Sequence, residues 1–384
     1  MRRAALLLAL AVLAGCSTTE DTAAPPAELP DFERGARLET VWRDGTGDAF
    51  NQRWVRMAPW LAEGTVYAAN VAGQVTAWDG ESGRRRWRTD VDTWLSAGVG
   101  GGAGGLYVAS QEGVLIALSA EDGGERWRRD LSGELLAPPT AGPDLLVART
   151  VDGRVLALDP ANGERLWTYS ADVPSLSLRG NSRPVPVQGG ILVGLDNGRL
   201  VALRDDNGQP LWETRIQTPE GSSPIDRMVD IDGAIGIGRG VVYAVTYQGR
   251  IAQVEPREGN IRWSREMSSY AGLGVDGERV YVTDADSHVR GLAPDNGATL
   301  WRQEKLAHRR LTAPVPIPGT DFLALADYDG YVHVLSRADG RIVARTRAGD
   351  SFGILADPVP TGEGRFVVQA QGGHVVSLRV APLE

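Results

Sequence analysis

A segment of about 40 residues recurs along the chain, and this repeat constrains the fold more than any other feature. Each copy begins at a tight turn and continues through an apolar strand, a glycine-containing loop and a strand that ends near a tryptophan. A further apolar run, such as LYVAS or VVYAVT, precedes each copy and indicates one more strand. The copies occupy residues 73–87, 113–127, 153–167, 198–212, 249–263, 287–301 and 330–344.

Two glycine positions give the repeat its turns. Pairs such as Asn197-Gly198 and Asp329-Gly330 predict hairpin turns, because only Gly, Asn and Asp adopt a positive φ at little cost. The second position closes the next loop, and a Trp follows it four residues later in six copies, with Ala344 as the exception. These glycines are Gly83, Gly123, Gly163, Gly208, Gly259, Gly297 and Gly340.

Short proline-bearing segments supply a fourth strand for each repeat. PVPV at 184–187 and PVPI at 314–317 are apolar, and proline is tolerated at a strand start or on an edge strand. Four short antiparallel strands per repeat of about 40 residues are typical of a β-propeller blade. The chain is therefore predicted to be all-β, an eight-bladed β-propeller of four-stranded antiparallel blades.

The two ends of the chain are predicted to close the ring. The last repeat, at 365–380, ends before its final strand, whereas LETVWRD at 38–44 is a strand without a repeat. Trp42 lies 45 residues before Trp87, at the phase of the repeat tryptophan. The N-terminal strand should therefore complete the last blade, in a propeller that spans 37–384. Closure would remove free sheet edges, and a seven-bladed ring remains the alternative.

Seven of the eleven tryptophans fall at the repeat phase, which indicates packing between blades rather than ligand stacking. They are Trp42, Trp87, Trp127, Trp167, Trp212, Trp263 and Trp301. The other four, Trp54, Trp60, Trp78 and Trp94, are out of phase and are predicted to be surface or channel residues.

The N-terminus is typical of a secreted protein. Residues 1–15 combine two arginines with an apolar run that is too short to span a bilayer as a helix, and so predict a signal peptide. LAGC, ending at Cys16, resembles the lipobox of bacterial lipoproteins, which implies a lipid on Cys16; an unmodified signal peptide is the alternative. Ser17 favours the outer membrane, with the protein facing the periplasm. Residues 16–36 have the composition of a flexible tether.

Composition and residue spacing argue against several classes of function. The net charge of −9 disfavours nucleic acid, whose phosphates require a basic surface. Cys16 is the single cysteine, so no disulfide can form within the chain. The four histidines lack metal-ligand spacing, and none lies near a plausible nucleophile. We therefore expect no catalytic residues, metal or cofactor.

The repeat resembles that of pyrroloquinoline-quinone-dependent dehydrogenases, which are eight-bladed propellers. This resemblance implies, as an alternative function, an enzyme or small-molecule-binding propeller that holds quinone and calcium over the axial channel. Its adjacent cysteine pair cannot exist here. Candidate calcium carboxylates occur as Asp230/Asp232, Asp284/Asp286 and Asp327/Asp329, but the last two pairs occupy turn positions, where Asp is a turn former. A sugar- or peptidoglycan-binding lipoprotein would need a groove of exposed aromatics.

A second resemblance covers nearly the whole mature chain. The lipobox, the tether and the repeats resemble the lipoprotein B subunits of the outer-membrane β-barrel assembly machinery. More specific matches are PSLSLRGNSRP at 174–184, GSSPIDRMVDID at 221–232 and HRRLTAPV at 308–315. The resemblance implies a non-enzymatic scaffold that binds the periplasmic domains of the central assembly subunit and aids insertion of outer-membrane proteins. Contact with unfolded outer-membrane proteins, through a blade edge for example, is a further expectation.

The spacing of the repeat locates the predicted site independently. From Trp87 to Trp167 the repeat tryptophans are 40 residues apart, and the spacing then rises to 45 up to Trp212 and 51 up to Trp263. Extra residues in a repeat usually lengthen loops on the binding face. Both insertions connect one blade to the next on adjacent blades, so they should be neighbours on one rim. Their apolar and charged residues suit a protein interface; alternatively, the leucines fold back and Arg179 pairs internally with Asp230 or Asp232. The predicted partner-binding residues are Leu176, Leu178, Arg179, Asp226, Arg227, Asp230 and Asp232.

Overall fold

The structure is a computed structural model that describes residues 24–47, 55–178, 182–350 and 352–383. Within these residues, thirty-two β-strands account for the regular structure. The predicted signal peptide, Cys16, Ser17, Trp54 and Arg179 lie outside these residues. Within the described ranges, no helix has the length and apolar character needed to cross a membrane.

The strands form eight sets of four. The first strand, β1 (Ala36–Gly45), belongs to the last blade. Blade 1 contains β2 (Trp60–Ala62), β3 (Thr65–Ala69), β4 (Gln74–Asp79) and β5 (Arg85–Asp90). Blade 2 contains β6 (Gly100–Gly102), β7 (Gly105–Ala109), β8 (Val114–Ser119) and β9 (Glu125–Asp130). Blade 3 contains β10 (Thr140–Ala141), β11 (Leu146–Arg149), β12 (Arg154–Leu158) and β13 (Arg165–Ser170). Blade 4 contains β14 (Val185–Val187), β15 (Gly190–Gly194), β16 (Arg199–Arg204) and β17 (Pro210–Arg215).

The second half repeats the same plan. Blade 5 contains β18 (Gly236–Gly238), β19 (Val241–Val245), β20 (Arg250–Val254) and β21 (Ile261–Glu266). Blade 6 contains β22 (Gly272–Val275), β23 (Val280–Thr283), β24 (Val289–Leu292) and β25 (Thr299–Gln303). Blade 7 contains β26 (Val315–Pro316), β27 (Phe322–Ala326), β28 (Tyr331–Ser336) and β29 (Ile342–Arg347). Blade 8 contains β30 (Val359–Gly362), β31 (Arg365–Gln369), β32 (His374–Pro382) and β1.

Within each blade the strands pair antiparallel in chain order, from the innermost strand to the outermost one. Blades 2 and 3 are also joined by a parallel bridge between Thr140 and Gly101. In blade 8, β1 pairs antiparallel with β32 from Ala36↔Pro382 to Gly45↔His374. The eight-bladed propeller and its closure by the N-terminal strand are therefore confirmed, and the seven-bladed alternative is wrong.

Burial follows strand position in the blade. The second strands are apolar throughout, and all five residues of β3, for example, are buried because neighbouring blades cover both faces of the sheet. The outermost strands are mostly exposed, as in β9, where Trp127 is the buried residue. The innermost strands are half-buried around the central axis, and the proline-bearing segments form two of them, β14 and β26.

A tryptophan–glycine contact joins each of seven blades to the next. The Trp87 indole lies against Gly123 in the following blade, and its Nε1 donates a hydrogen bond to the carbonyl of Ala120, 3.1 Å away. A β-carbon on the glycine would overlap the indole ring. Packing between blades, predicted for the phased tryptophans, is therefore confirmed. The other six pairs are Trp42–Gly83, Trp127–Gly163, Trp167–Gly208, Trp212–Gly259, Trp263–Gly297 and Trp301–Gly340.

Ala344 replaces the tryptophan in blade 7 because blade 8 has no loop to receive one. The third strand of blade 8, β32, ends near the C-terminus, and its neighbour β1 comes from the other end of the chain. At this junction the N–H of Gly35 donates to the carbonyl of Val343, 3.0 Å away. The exception in the repeat therefore marks the point where the ring is closed.

Part of the stretch with tether-like composition packs on the propeller. Leu29 and Phe32 lie against the apolar cluster between blades 6 and 7. The Arg345 guanidinium lies 5.1 Å from the Phe32 ring centroid and donates to the Pro30 carbonyl, 3.2 Å away. The N–H of Ala27 donates to a backbone carbonyl of the blade 6–7 connection at 2.9 Å. The packed part of the chain therefore begins before residue 36, the predicted end of the tether.

The out-of-phase tryptophans have three different environments. Trp60 lies on an innermost strand and Trp94 is 48% exposed, in agreement with the prediction of channel or surface positions. Trp78 is fully buried, so for this residue the prediction is wrong. Its ring stacks on Trp42 with centroids 6.2 Å apart, and its Nε1 donates to Asp44 at 2.7 Å. Trp78 thus reinforces the junction between blade 8 and blade 1.

We expect the glycine of the ring-closing contact to be far more sensitive than a glycine with similar φ elsewhere. Gly83 and Gly64 have φ values of 70° and 71°, but a Cβ would meet the Trp42 ring at Gly83 and nothing within 4 Å at Gly64. Gly64→Ala should lower the free energy of unfolding by about 1 kcal/mol through backbone strain alone. Gly83→Ala should lower it by about 3 kcal/mol or more, because overpacking adds to the strain. Urea denaturation measures both values, and equal losses would contradict the role of this contact.

Candidate docking site

The two lengthened connections lie on the same rim of the propeller. Residues 171–184 link blade 3 to blade 4, and residues 216–235 link blade 4 to blade 5. Because four antiparallel strands alternate in direction, every connection between blades is on one rim, which we call the connection rim. The backbone N–H of Leu178 donates to an Asp230 carboxylate oxygen at 2.5 Å, which joins the two loops directly. Their predicted neighbourhood is confirmed.

The outer part of the second loop is built by a local turn. The N–H of Ser223 donates to the Asp226 carboxylate at 3.1 Å, and the N–H of Asp226 donates back to the Ser223 hydroxyl at 3.2 Å. The Ser223 hydroxyl and the Ser223 backbone N–H, as hydrogen-bond donors to the carboxylate, lower the pKa of Asp226. Arg227 donates from Nε to the Gly221 carbonyl at 3.0 Å. Both charged side chains remain exposed on the rim.

The inner part of the same loop is buried. Asp230 is 0% exposed and Asp232 is 5% exposed. Backbone bonds fix this segment, because the Asp230 carbonyl accepts from the Tyr247 N–H at 2.9 Å and the Ile231 N–H donates to the Leu195 carbonyl at 3.1 Å. These two aspartates, which we predicted as partner-binding residues, therefore lie under the surface.

Burial gives Asp230 an unusual protonation equilibrium. Desolvation, followed by repulsion from the nearby Asp196 carboxylate, raises its pKa to about 7, although the Leu178 N–H favours the ionised form. Asp196 is itself paired with the buried guanidinium of Arg149. The hydrogen bond between the loops thus depends on a carboxyl group that exchanges its proton near neutral pH.

Apolar side chains are exposed beside this buried cluster. In the first loop Leu176 is 40% exposed and Val173 is 39% exposed, whereas Leu178 is half-buried. In the second loop Ile225 is 59% exposed. Such residues in neighbouring loops are typical of an interaction surface. The structure therefore exposes Leu176 and partly covers Leu178, so the alternative of folded-back leucines applies to Leu178 alone.

Ile225 was not among the predicted residues, although its position in the sequence indicated an exposed apolar side chain. It lies between Pro224 and Asp226 in the longest insertion, where an aliphatic residue has no strand to join. Of the predicted residues, the structure exposes Leu176, Asp226 and Arg227, partly buries Leu178, and buries Asp230 and Asp232.

Comparison with known proteins decides the family. The chain matches the family described as "Outer membrane protein assembly factor BamB" over residues 72–290 and 285–381. A protein of that name from Alkalilimnicola ehrlichii is 49% identical over 380 residues, covering 99% of this chain and 97% of that protein. The chain belongs to the BamB family. A BamB from Pseudomonas aeruginosa is 46% identical, with 99% of both chains covered, and one from Escherichia coli is 38% identical, with 97% of both covered.

Solved structures agree with this assignment. The crystal structure of BamB from Moraxella catarrhalis superimposes with a TM-score of 0.81 at 28% identity, covering 89% of this chain and 100% of that one. A quinohemoprotein alcohol dehydrogenase from Comamonas testosteroni superimposes with a TM-score of 0.70 at 14% identity, covering 89% of this chain and 76% of that one. At that identity the similarity to the dehydrogenase shows a shared fold alone.

Two of the three candidate calcium pairs serve as turn formers, as predicted. The Asp327 carboxylate accepts the backbone N–H groups of Asp329 and Tyr331 at 3.0 and 2.9 Å. Asp284 does the same for Asp286 and His288 at 3.1 and 2.8 Å. The other oxygens of the two carboxylates are paired with arginines.

One group in the described residues has the spacing of metal ligands. Ligand atoms of Asp284, Asp286 and His288 lie within 4.8 Å of one another, a proximity that the sequence spacing did not indicate. Arg290 already binds Asp284 at 2.9 Å, and Arg302 lies 3.0 Å from the His288 ring nitrogen. A cation would have to displace this positive charge, so we assign the group to the hairpin turn.

We expect Asp230→Asn to change the pH dependence of stability. The unfolded carboxyl ionises near its ordinary pKa of 3.8, whereas the folded one ionises near 7, so Asp230 increasingly destabilises the fold as the pH rises between these values. Asn keeps an acceptor for the Leu178 N–H but does not ionise. The stability of the variant relative to the native protein should therefore rise by up to about 4 kcal/mol across this window.

Urea denaturation at several pH values measures this difference. Asp226→Asn is the matched control, because its lowered pKa predicts the opposite sign. There the native protein should gain stability relative to the variant as the pH rises. A pH-independent difference for Asp230→Asn would show that Asp230 does not titrate as the structure implies.

Proposed function

We propose that this member of the BamB family is a non-enzymatic scaffold that binds the periplasmic domains of the central β-barrel assembly subunit through its connection rim. The binding surface, which we call the docking patch, comprises Leu176, Leu178, Arg179, Ile225, Asp226 and Arg227. Its relatives are named outer membrane protein assembly factors, a name that describes assembly rather than a reaction. The partner itself is our proposal.

The observation that carries the proposal is the hydrogen bond of 2.5 Å between the Leu178 N–H and Asp230. It holds two insertions from different blade junctions together, so that Leu176 and Ile225 are presented on neighbouring loops of one rim. Aliphatic anchors surrounded by charged residues are the usual composition of a protein–protein binding site. Asp226 and Arg227 supply charges of both signs at its edge.

Asp230 and Asp232 act beneath this surface as positioning residues. Asp230 fixes the position of Leu178, and Asp232 lies 3.9 Å from the guanidinium of Arg56, which comes from the connection between blades 8 and 1. Because both carboxylates are buried, they order the loops rather than contact the partner in this conformation. Replacing either of them with alanine, which has no side-chain hydrogen-bond acceptor, should weaken binding through disorder of the loops.

The location of the scaffold follows from its N-terminus. A lipid on Cys16 would hold the propeller at the periplasmic face of the outer membrane, where β-barrel proteins are assembled. Residues between Cys16 and Ala27 would connect this anchor to the first backbone hydrogen bond with the blades. An extended chain of this length reaches roughly 35 Å, so the propeller would remain near the membrane.

We predict that charged substitutions in the docking patch abolish binding without unfolding the propeller. In a titration of residues 17–384 with the purified periplasmic domains of the central assembly subunit, Leu176→Asp and Arg179→Glu should each weaken binding at least tenfold. An aspartate at position 176 would introduce a charge into an apolar contact, which a well-packed interface excludes.

Leu300→Asp is the matched control. Leu300 is 53% exposed on the outermost strand of blade 6, remote from the connection rim loops that form the patch. This variant should bind within twofold of the native protein, and circular dichroism should be unchanged for all three. Native affinity in the Leu176→Asp and Arg179→Glu variants would contradict the docking patch, and an absence of binding by the native protein would contradict the partner.

A further inference from the structure

The segment HRRLTAPV at 308–315 contains two adjacent arginines with different environments. Arg309 has a side chain that is 5% exposed, and its Nε donates to Asp327 at 2.7 Å. It also donates from Nη1 to the carbonyl of Ala27 at 3.0 Å, which holds the N-terminal segment. Arg309 is therefore a structural residue. Arg310 is exposed on the connection rim.

Backbone geometry directs the two arginines apart. His308 and Arg310 both have positive φ values, 58° and 49°, which non-glycine residues adopt at a cost. The segment is held in this shape by the His308 N–H, which donates to the Asp286 carbonyl at 2.7 Å. On its other side, the Ala313 N–H donates to the Asp357 carboxylate at 2.9 Å. The strained turn thus places Arg310 at a defined position.

Arg310 lines a cavity at the axial end of the connection rim. The cavity has a volume of about 280 Å³, and its lining also includes the polar residues Arg56, Tyr270, Thr312 and Asp357. Arg310, Arg56, Tyr270 and Asp357 each belong to a different connection between blades, namely 304–314, 46–59, 267–271 and 348–358. Such connections converge on the innermost strands, so the cavity lies at the mouth of the central channel.

The cavity adjoins the second of the two loops that form the docking patch. Arg56 donates to the Tyr270 carbonyl at 3.1 Å and its guanidinium lies 3.9 Å from Asp232, in the loop that carries Ile225 and Asp226. Gly233 of that loop packs directly against Gly272, next to the cavity wall. A partner that covers the docking patch would therefore reach the cavity along loop 216–235.

The charge of the cavity favours an acidic group. Two guanidinium groups line it together with one carboxyl group, Asp357, whose pKa is raised by burial, and the carboxylate of Asp232 lies 3.9 Å from Arg56. Burial also raises the pKa of Tyr270, so its hydroxyl keeps its proton. Guanidinium groups bind carboxylates through charge-assisted hydrogen bonds.

The size of the cavity favours a side chain over a cofactor. Sites for small molecules usually measure about 300–1,000 Å³, so this cavity of about 280 Å³ is at their lower limit and suits a group the size of one side chain. We propose that it receives an aspartate or glutamate side chain from an acidic segment of the same protein that occupies the docking patch, with Arg310 and Arg56 as its ligands. This inference rests on the proposed function, which it extends to a second contact.

The test measures binding of the periplasmic domains of the central assembly subunit to residues 17–384. Arg310→Glu should weaken binding at least tenfold, whereas Arg310→Lys, which keeps the charge, should weaken it about threefold. Arg310→Ala should also make the affinity less dependent on salt concentration, because one ion pair is lost. The matched control is Arg341→Glu. Arg341 is 62% exposed and borders the opposite rim, so this variant should bind like the native protein.

The outcomes separate this inference from the proposed function. If Leu176→Asp abolishes binding but Arg310→Glu binds like the native protein with an unchanged salt dependence, the acidic contact is wrong and the docking patch stands. If both variants lose binding and Arg341→Glu does not, the two contacts belong to one interface. If Arg341→Glu loses as much as Arg310→Glu, the effect is one of net charge and the cavity is not a binding site.

Discussion

The contact between a tryptophan and a glycine of the next blade is the interaction on which the rest of the structure depends. It occurs seven times, and each indole also donates a hydrogen bond to a carbonyl of the loop that contains the glycine. The eighth junction has no such loop, because blade 8 takes its last strand from the N-terminus. At this point β1 pairs with β32 along its length, so backbone pairing between the two strands closes the ring instead of a covalent connection. A ring held in this way fixes all blade connections on one rim.

The rim explains how a repetitive fold acquires a specific site. Blade packing leaves little freedom to the strands, so the additional residues between Trp167 and Trp263 form longer connections on the rim, part of which folds back and is buried. A hydrogen bond to the buried carboxyl group of Asp230 then joins the two loops. Burial disfavours the ionised form of this carboxyl group, as its raised pKa shows. The loops are thereby ordered while Leu176 and Ile225 stay exposed. The same rim carries Arg56 and Arg310 in a cavity at its axial end.

Periodic features could be predicted from the sequence, whereas side-chain burial within irregular segments could not. Strand count, ring closure and the adjacency of the two insertions follow from spacing alone, because each blade must repeat the same contacts. The burial of Asp230 and Asp232 depends on how the loop folds back over blade 4, which no periodicity encodes. Trp78, by contrast, occupies the position of the buried Leu118 and Leu158 in the next two repeats, so alignment of the repeats could have predicted its burial. The tether-like composition around Pro30 likewise gave no sign of its contact with Arg345.

Site-specific photo-crosslinking in the intact cell envelope tests whether the docking patch contacts the central assembly subunit. A photoreactive phenylalanine analogue would replace Leu176 in one strain and Leu300 in another, since both leucines are exposed and lie on different parts of the propeller. We predict a crosslink to the periplasmic domains of the central assembly subunit from position 176 and none from position 300. A crosslink from position 300 alone, or equal crosslinks from both positions, would contradict it.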